Sequence, residues 1–317
     1  MKLTFEVWPN MPWGRLEAAG PAWNSWGDKP LGWCAERIAE CGYDGIDVIF
    51  AKILQEDYPR LVEEFPAKLR ELELEFGYIG AHSTFVSPRH FDRERGIASF
   101  KQAVDAAADL GAKSVCTLLG DGYYDPPLNI LLSRKDAWAQ AVGAVDEVAA
   151  YASEKGVNVS IELLQGSIVN RVPLLLRLIE EVGRDNVRAT VDTGTFYTTV
   201  KPFMDVKEAI GEIGDLIDLV HVKDEIGLPS IVQTNHTWMG GGMVDFGEVR
   251  EALEGIGFSG YCSVEWEGWQ AGGTIGVGEP AGLGLADFDR VAVEAKEFLE
   301  EFGYRSTRDR EARAGKE

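Results

Sequence analysis

The chain has 317 residues, 45% of them hydrophobic, which is ample for one large core and fits the roughly 200–300 residues of a single barrel domain. Its 52 acidic against 31 basic residues give a formal charge of −21, with no dense Lys/Arg run to offset it, so nucleic acid and anionic lipid are excluded as expected partners. The start, MKLTFEVWPN, lacks a cationic segment followed by a long apolar run, and no stretch approaches the ~18 apolar residues of a membrane span, so a soluble, cytoplasmic protein is expected.

The chain opens on a strand, LTFEVW, followed by a polar, Pro/Gly-rich loop that carries Trp13, Trp23 and Trp26 on the way to Trp33. With Trp8, five of the nine tryptophans fall in the first 33 residues. Leu31, Cys34, Ile38 and Cys41 then share one helix face. From there a single mark recurs: an amphipathic helix, a glycine and a short hydrophobic strand. It reads AECGYDGIDVI, LEFGYIGAHS, ADLGAKSVCTLL, SEKGVNVSIEL, EEVGRDNVRATVD, GEIGDLIDLVHV and EGIGFSGYCSVE. Glycine past a helix accepts the left-handed cap conformation, and a run apolar on both faces suits a parallel strand buried on both sides. Helical patterns fill the intervals, for example 136–154, 173–182 and 286–302. Eight alternating units predict an α/β fold, a closed (β/α)8 TIM barrel of one domain spanning 1–304, with a frayed polar tail over 305–317. The doubly wound alternative wants a GxGxxG loop after an early strand, and none is there. Cys34, Cys41, Cys116 and Cys262 form no CxxC pair, so buried free thiols are expected.

In such a barrel the C-terminal strand ends face the active site. Strand five closes on Glu162, strand six on Asp192, strand seven on His221 and strand eight on Glu265, at intervals of 30, 29 and 44 residues. Each has a plain structural reading, since a strand-end acid often caps a helix and a lone histidine is usually a satisfied core residue. Three converging carboxylates, however, repel unless a positive charge sits between them, and a divalent cation supplies it. Oxygen donors with one imidazole favour Mn²⁺ or Mg²⁺, admit Co²⁺ and disfavour a structural zinc.

The motifs SIELL, VDTGT, HVKD, GGGMVDFGEV and SVEWE, in this order, resemble the sugar isomerase and epimerase group of the xylose-isomerase-like barrels, closely over residues 112–302 and in outline before that. The resemblance implies that Glu162, Asp192, His221 and Glu265 bind one divalent metal. It also implies enolisation chemistry, in which Glu162 and Glu265, on strands separated by two others, act as a pair of proton-transferring groups on a sugar or polyol derivative. Two departures weigh against an ordinary ketohexose epimerase. Thr195 stands where many of these epimerases carry a histidine, and HVKDEIGLPS lacks the arginine they commonly place after the strand-seven histidine.

Further candidates surround this set. Lys223 has the strand parity of His221, with neutralisation of an oxyanion or pairing with Asp224 or Glu225 as its two readings. His82, closing strand three, is a candidate substrate donor; His90, within RHFDRER, reads as a surface residue. The long segment EIGLPSIVQTNHTWMGGGMVDF brings His236 and Trp238 before three glycines, in reach of the barrel mouth as a lid. Trp8 and the early tryptophans are candidates for stacking on a sugar or aryl group, or for packing between loops or subunits. Glu267 has the parity of Glu265 but reads as a solvated loop acid. The alternatives are elimination by the same enolisation (keto-inositol dehydration, or cleavage of a C-glycoside or 3-keto glycoside), a non-catalytic regulatory barrel, and an abasic-site nuclease like endonuclease IV. Four histidines and the charge of −21 oppose the last. A homo-oligomer or hetero-complex is compatible with all of them.

Overall fold

The repeating helix–glycine–strand unit folds as its residue types require. The computed structural model describes residues 1–9, 25–119, 124–125, 130–164, 167–200, 204–227, 234–266 and 287–308. Eight strands line the barrel: β1 (Lys2–Val7), β2 (Gly45–Ile49), β3 (Glu75–Gly80), β4 (Ser114–Leu118), β5 (Asn158–Glu162), β6 (Val187–Asp192), β7 (Ile217–Val222) and β8 (Tyr261–Val264). Each pairs in parallel with the next in sequence, and β8 closes the ring on β1. The eight helices that follow them in turn are α1 (Leu31–Glu40), α2 (Tyr58–Glu71), α3 (His90–Leu110), α4 (Arg134–Glu154), α5 (Val172–Val182), α6 (Val206–Ile213), α7 (Phe246–Gly255) and α8 (Phe288–Glu301). The expected (β/α)8 barrel is therefore the observed one.

Punctuation residues set the element ends. Gly111 and Gly183 end α3 and α5 at φ 87° and 64°, a backbone region that costs glycine nothing and other residues strain. At the opposite ends, Ser133, Asp205, Asp245 and Asp287 accept hydrogen bonds from first-turn N–H groups of α4, α6, α7 and α8. Between these stops, the outward faces of the strands and the inner stripes of the helices form one continuous core, from Leu3 and Phe5 through Val220 and Val264 to Leu299. Each fully buried side chain of this size contributes roughly 1.5–3 kcal/mol.

The expectation that every strand is apolar on both faces needs correction. Thr4, Glu6, Asp47, Ser160, Thr190 and Ser263 are buried on the strands, and polar partners tie several of them across the ring. Asp47 accepts from the Thr4 hydroxyl and, at 3.0 Å, from the Tyr78 N–H, while the Tyr78 hydroxyl donates to Glu6. Ser160 and Thr190 hydroxyls meet at 2.7 Å. Tyr78, Cys116 and Leu219 form a small apolar cluster separate from the main core. A barrel interior can hold polar side chains when they satisfy one another, because an unpaired one there costs on the order of 1–3 kcal/mol.

Two further expectations change. Cys34, Leu31 and Ile38 are buried on α1 as the spacing predicts, but Cys41 is the C-cap residue and only half-buried. The start of the tail is docked and not frayed: Ser306 is buried, Thr307 N–H donates to Asp44 at 2.7 Å, and Arg308 donates to the Glu73 carbonyl at 2.7 Å.

Candidate functional site

Strand register builds the site. Asp192, the last residue of β6, lies opposite His221 of β7, and His221 lies opposite Ser263 of β8, one step short of the β8 exit to Glu265. Glu162 ends β5 beside Thr190 of β6. One donor atom from each of Glu162, Asp192, His221 and Glu265 lies within 4.8 Å of all the others, and the four residues are at most 4% exposed. His221 Nδ1 sits 3.1 Å from Glu265 Oε2 and 3.6 Å from Glu162 Oε1. The capping reading of Asp192 holds, and the same carboxylate faces the other candidate ligands. Its Oδ1 accepts the Thr195 N–H at 2.8 Å, capping the short turn Thr193–Thr195, and its Oδ2 faces the Lys223 ammonium at 2.8 Å. Thr195 thus fills its place as a buried part of that turn, with no imidazole offered there.

Lys223 is buried with its Nζ also 3.2 Å from Glu265 Oε2 and 3.9 Å from Glu225 Oε1. Its backbone is fixed to β6 by Thr193, whose hydroxyl donates to the Lys223 carbonyl at 2.6 Å and accepts its N–H at 3.0 Å. The lysine therefore faces the ligand set, as strand parity predicts, while pairing with Glu225 at longer range.

Burial and charge set the proton affinities of these residues. Burial pushes the Glu162 carboxyl up to about 7 against the pull of His221. Asp192 stays below its usual range, because Lys223 and His221 together outweigh its burial. His221 is raised well above the usual imidazole range, since Glu265 and Glu162 overcome the burial that opposes its charge. Among the described residues, both His221 ring nitrogens and Glu265 Oε2 are buried and make no well-formed hydrogen bond. Three carboxylate oxygens and one imidazole fit a divalent cation by donor type and by spacing.

Below this set lies a layer that sequence reasoning passed over. Burial and then the Glu265 charge hold the Glu6 carboxyl well above its usual range. Burial likewise raises Asp47 to about 6, against hydrogen bonds from Ser263 and Thr4. The Tyr78 ring, bonded to Glu6, stacks on His221 with centroids 5.2 Å apart. Burial pushes the Cys116 thiol up to about 11. The available signal was the alternation of polar residues within the strand runs, T-F-E and I-D-V, which places them all on one face.

Glu225 was also missed except as a partner for Lys223. It is buried, accepts from the Thr198 hydroxyl at 3.3 Å, and packs so closely on Gly194 that a Cβ there would come within 2.4 Å of its side-chain carbons. The glycine of DTGT is required by that contact. Asp224 serves the backbone instead. Its carboxylate accepts N–H groups of Gly240, Gly242, Val244 and Glu225 at 2.8–3.1 Å, pinning the glycine-rich return to β7.

The remaining candidates separate. Trp8 is buried at the end of β1 with its ring 6.1 Å from that of exposed His82. Trp26 is fully buried against Phe5 and Phe288, and Trp33 packs edge-on to it, so these two are core and not mouth aromatics. Trp238 lies on Trp266 at 4.8 Å under Arg290, and this packing replaces the lid expected for it. His236 pairs through its backbone with Glu225 in the ribbon Asp224–Gly227/Thr234–Thr237, and its side chain lies outside the described residues, as do Trp13, Trp23 and Glu267. His90 is exposed and pairs with Glu94 at 3.1 Å.

Residues 35–299 match the xylose isomerase-like TIM barrel family. The chain belongs to that family. The L-ribulose 3-epimerase of Mesorhizobium japonicum is 26% identical over 174 residues, 54% of this chain and 54% of that protein, so the chain spans about half the length of such curated relatives. The inosose dehydratase of Geobacillus thermodenitrificans is 24% identical over 275 residues, 76% of this chain and 89% of that protein. A solved structure of the IolI protein with a bound zinc atom superposes with a TM-score of 0.68 at 20% identity, covering 95% of this chain and 96% of that one, which shows the shared fold.

Proposed function

We propose that this barrel is a divalent-metal-dependent isomerase or epimerase that moves a proton on a sugar or polyol derivative through an enediolate, working in the cytoplasm, with Mn²⁺ or Mg²⁺ as the ion. The observation that carries the reading is the convergence of Glu162, Asp192, His221 and Glu265 from four successive strands. An ion held by these four would supply positive charge where oxyanion character develops on the substrate.

The chain's own groups do the rest. Glu162 and Glu265 enter from β5 and β8, with β6 and β7 between them, so one removes the proton α to the carbonyl and the other returns it. The raised proton affinity of Glu162 suits exchange near neutral pH. Lys223, held beside Asp192 and Glu265, donates toward the developing oxyanion. Exposed His82, beside the buried Trp8 ring, offers a donor for the substrate's hydroxyl groups.

Elimination by the same enolisation is a second reading, supported by an inosose dehydratase match over 76% of the chain, the same share that a D-psicose 3-epimerase covers. One experiment tests both: metal-loaded protein is incubated in D₂O with ketoses, keto-inositols and 3-keto glycosides, and deuterium at the α-carbon is followed beside product formation. Exchange with an epimer supports the first reading and exchange with an enone supports the second. Glu162→Gln and Glu265→Gln should each retain metal and lose roughly 10²–10⁴ in turnover, the range of a lost general base. Near-normal turnover in both variants would overturn the paired roles.

A further inference from the structure

Two sets of ligand atoms, not one, converge in this barrel. Besides the four-residue set, Cys116, Glu162 and His221 also bring one donor each within 4.8 Å of one another, all three buried. The first set draws on β5 to β8; the second draws on β4, β5 and β7, so it is displaced around the ring toward β4. The sets differ in chemistry as well as place. The first offers three oxygens and a nitrogen, a hard environment. The second offers sulfur, nitrogen and one oxygen, which selects softer ions.

We propose that the barrel has a second, thiolate-containing metal position, Cys116–Glu162–His221, that takes a soft divalent ion of the Zn²⁺ or Cd²⁺ class and excludes the ion of the four-residue site. Exclusion follows from arithmetic of ligands: Glu162 and His221 serve both positions and can complete only one. Recruiting His221 to the Cys116 position gives up its Nδ1 contact with Glu265 at 3.1 Å and keeps Glu162, 3.6 Å away, as a shared ligand. Cys116 Sγ lies 3.3 Å from the neutral Thr190 hydroxyl, a weak contact that a metal bond replaces. On binding, the S–H proton leaves to solvent as the S–metal bond forms, as does any proton on the His221 nitrogen and the Glu162 oxygen that bond the metal. Three protein ligands with an open fourth place match the coordination soft tetrahedral ions accept. A metal bound there leaves Asp192 and Glu265 without it, so the soft ion holds the enzyme inactive.

The proposal rests on the metal reading of the site through the two shared ligands, and its test keeps the two apart. Metal-free full-length protein is titrated with Cd²⁺ alone while sulfur-to-metal charge-transfer absorption is recorded in the near ultraviolet, and Mn²⁺ binding is measured in parallel. The wild type should develop the band to one equivalent per chain, and added Mn²⁺ should raise the apparent Cd²⁺ dissociation constant in proportion. Cys116→Ser and Cys116→Ala should lose the band while binding Mn²⁺ within about threefold of wild type. Asp192→Asn should keep the band and lose at least tenfold in Mn²⁺ affinity. Persistence of the band without Cys116, one-equivalent Cd²⁺ binding with no band, or simultaneous binding of both ions would each overturn the second position. Should the Cys116 variants fail to fold, the Mn²⁺ competition in wild type and the Asp192→Asn result decide it. Failure of wild-type protein to bind Mn²⁺ at all would instead sink the four-residue reading.

Discussion

Replacing Lys223 by methionine separates the metal reading from a purely structural salt-bridge network. The ammonium lies 2.8 Å from Asp192 and 3.2 Å from Glu265, with its side chain 5% exposed. Methionine keeps most of the volume and removes the charge, so two buried carboxylates lose their compensation. Breaking a buried pair in this way costs about 3–5 kcal/mol. At about 2–4 °C per kcal/mol for domains of 150–250 residues, the apo melting temperature should fall by roughly 6–20 °C. A divalent ion among the same carboxylates restores the missing charge, so with saturating Mn²⁺ the deficit should shrink to about 1 kcal/mol, the scale of a volume-conserving swap. Removing the competing ammonium should also tighten Mn²⁺ binding by about tenfold, or about 1.4 kcal/mol. Differential scanning calorimetry with and without Mn²⁺, beside a direct binding titration, reads both effects. An equal loss of melting temperature in the two states together with an unchanged Mn²⁺ affinity would show that Lys223 and the ion do not share these carboxylates.

Two shorter predictions follow from the neighbouring residues. Gly194→Ala places a methyl group 2.4 Å from the Glu225 side chain, so it should destabilise the protein by about 1–3 kcal/mol and reduce turnover by shifting Glu225 and Lys223, which thermal melts and kinetics would show. Burial raises Asp47 to about 6, so between pH about 4 and 6 the folded metal-free chain holds a proton that the unfolded chain has released; stability relative to Asp47→Asn is greatest below pH about 4 and declines as pH rises through 6. A flat difference over that window in chemical denaturation would show that Asp47 is not raised.

The architecture was legible because its signals are local and repeated. Glycine caps after amphipathic helices and β-branched runs recur seven times after the opening strand, and the barrel follows from handedness and parallel pairing. The four strand-end groups were legible for the same reason: where a strand stops is written in the residues that stop it. Facing is harder to read. Glu6 and Asp47 sit in largely apolar runs, and only the closed ring turns their face inward, with Thr4, against Tyr78 and Ser263. Trp238 illustrates the opposite error. Its place before three glycines resembled a hinge, yet those glycines approach Asp224 so closely that a Cβ at Gly242 would lie 2.1 Å from its carboxylate oxygen. They serve a backbone clamp instead, which no one-dimensional pattern distinguishes from a hinge.

Glu6 gives the most searching test of how charge is arranged beneath the site. It is 1% exposed, bonded to Tyr78, and raised first by burial and then by Glu265, both of which favour its neutral acid form. If it is neutral, Glu6→Gln exchanges one uncharged hydrogen-bonding group for another of nearly the same shape. The stacked pair Tyr78–His221 should then stay in place, stability should change by no more than about 1 kcal/mol, and Mn²⁺ affinity should stay within about threefold of wild type. If Glu6 is ionised, the same substitution deletes a buried negative charge close to three other carboxylates. Relief of that repulsion should then stabilise the metal-free protein by several kcal/mol, while loss of an attractive charge should weaken Mn²⁺ binding by tenfold or more. The two outcomes have opposite signatures in denaturation and in metal titration. A stabilised apo protein with weakened Mn²⁺ binding would place a fourth negative charge under the ion and refute a neutral Glu6 in the barrel interior.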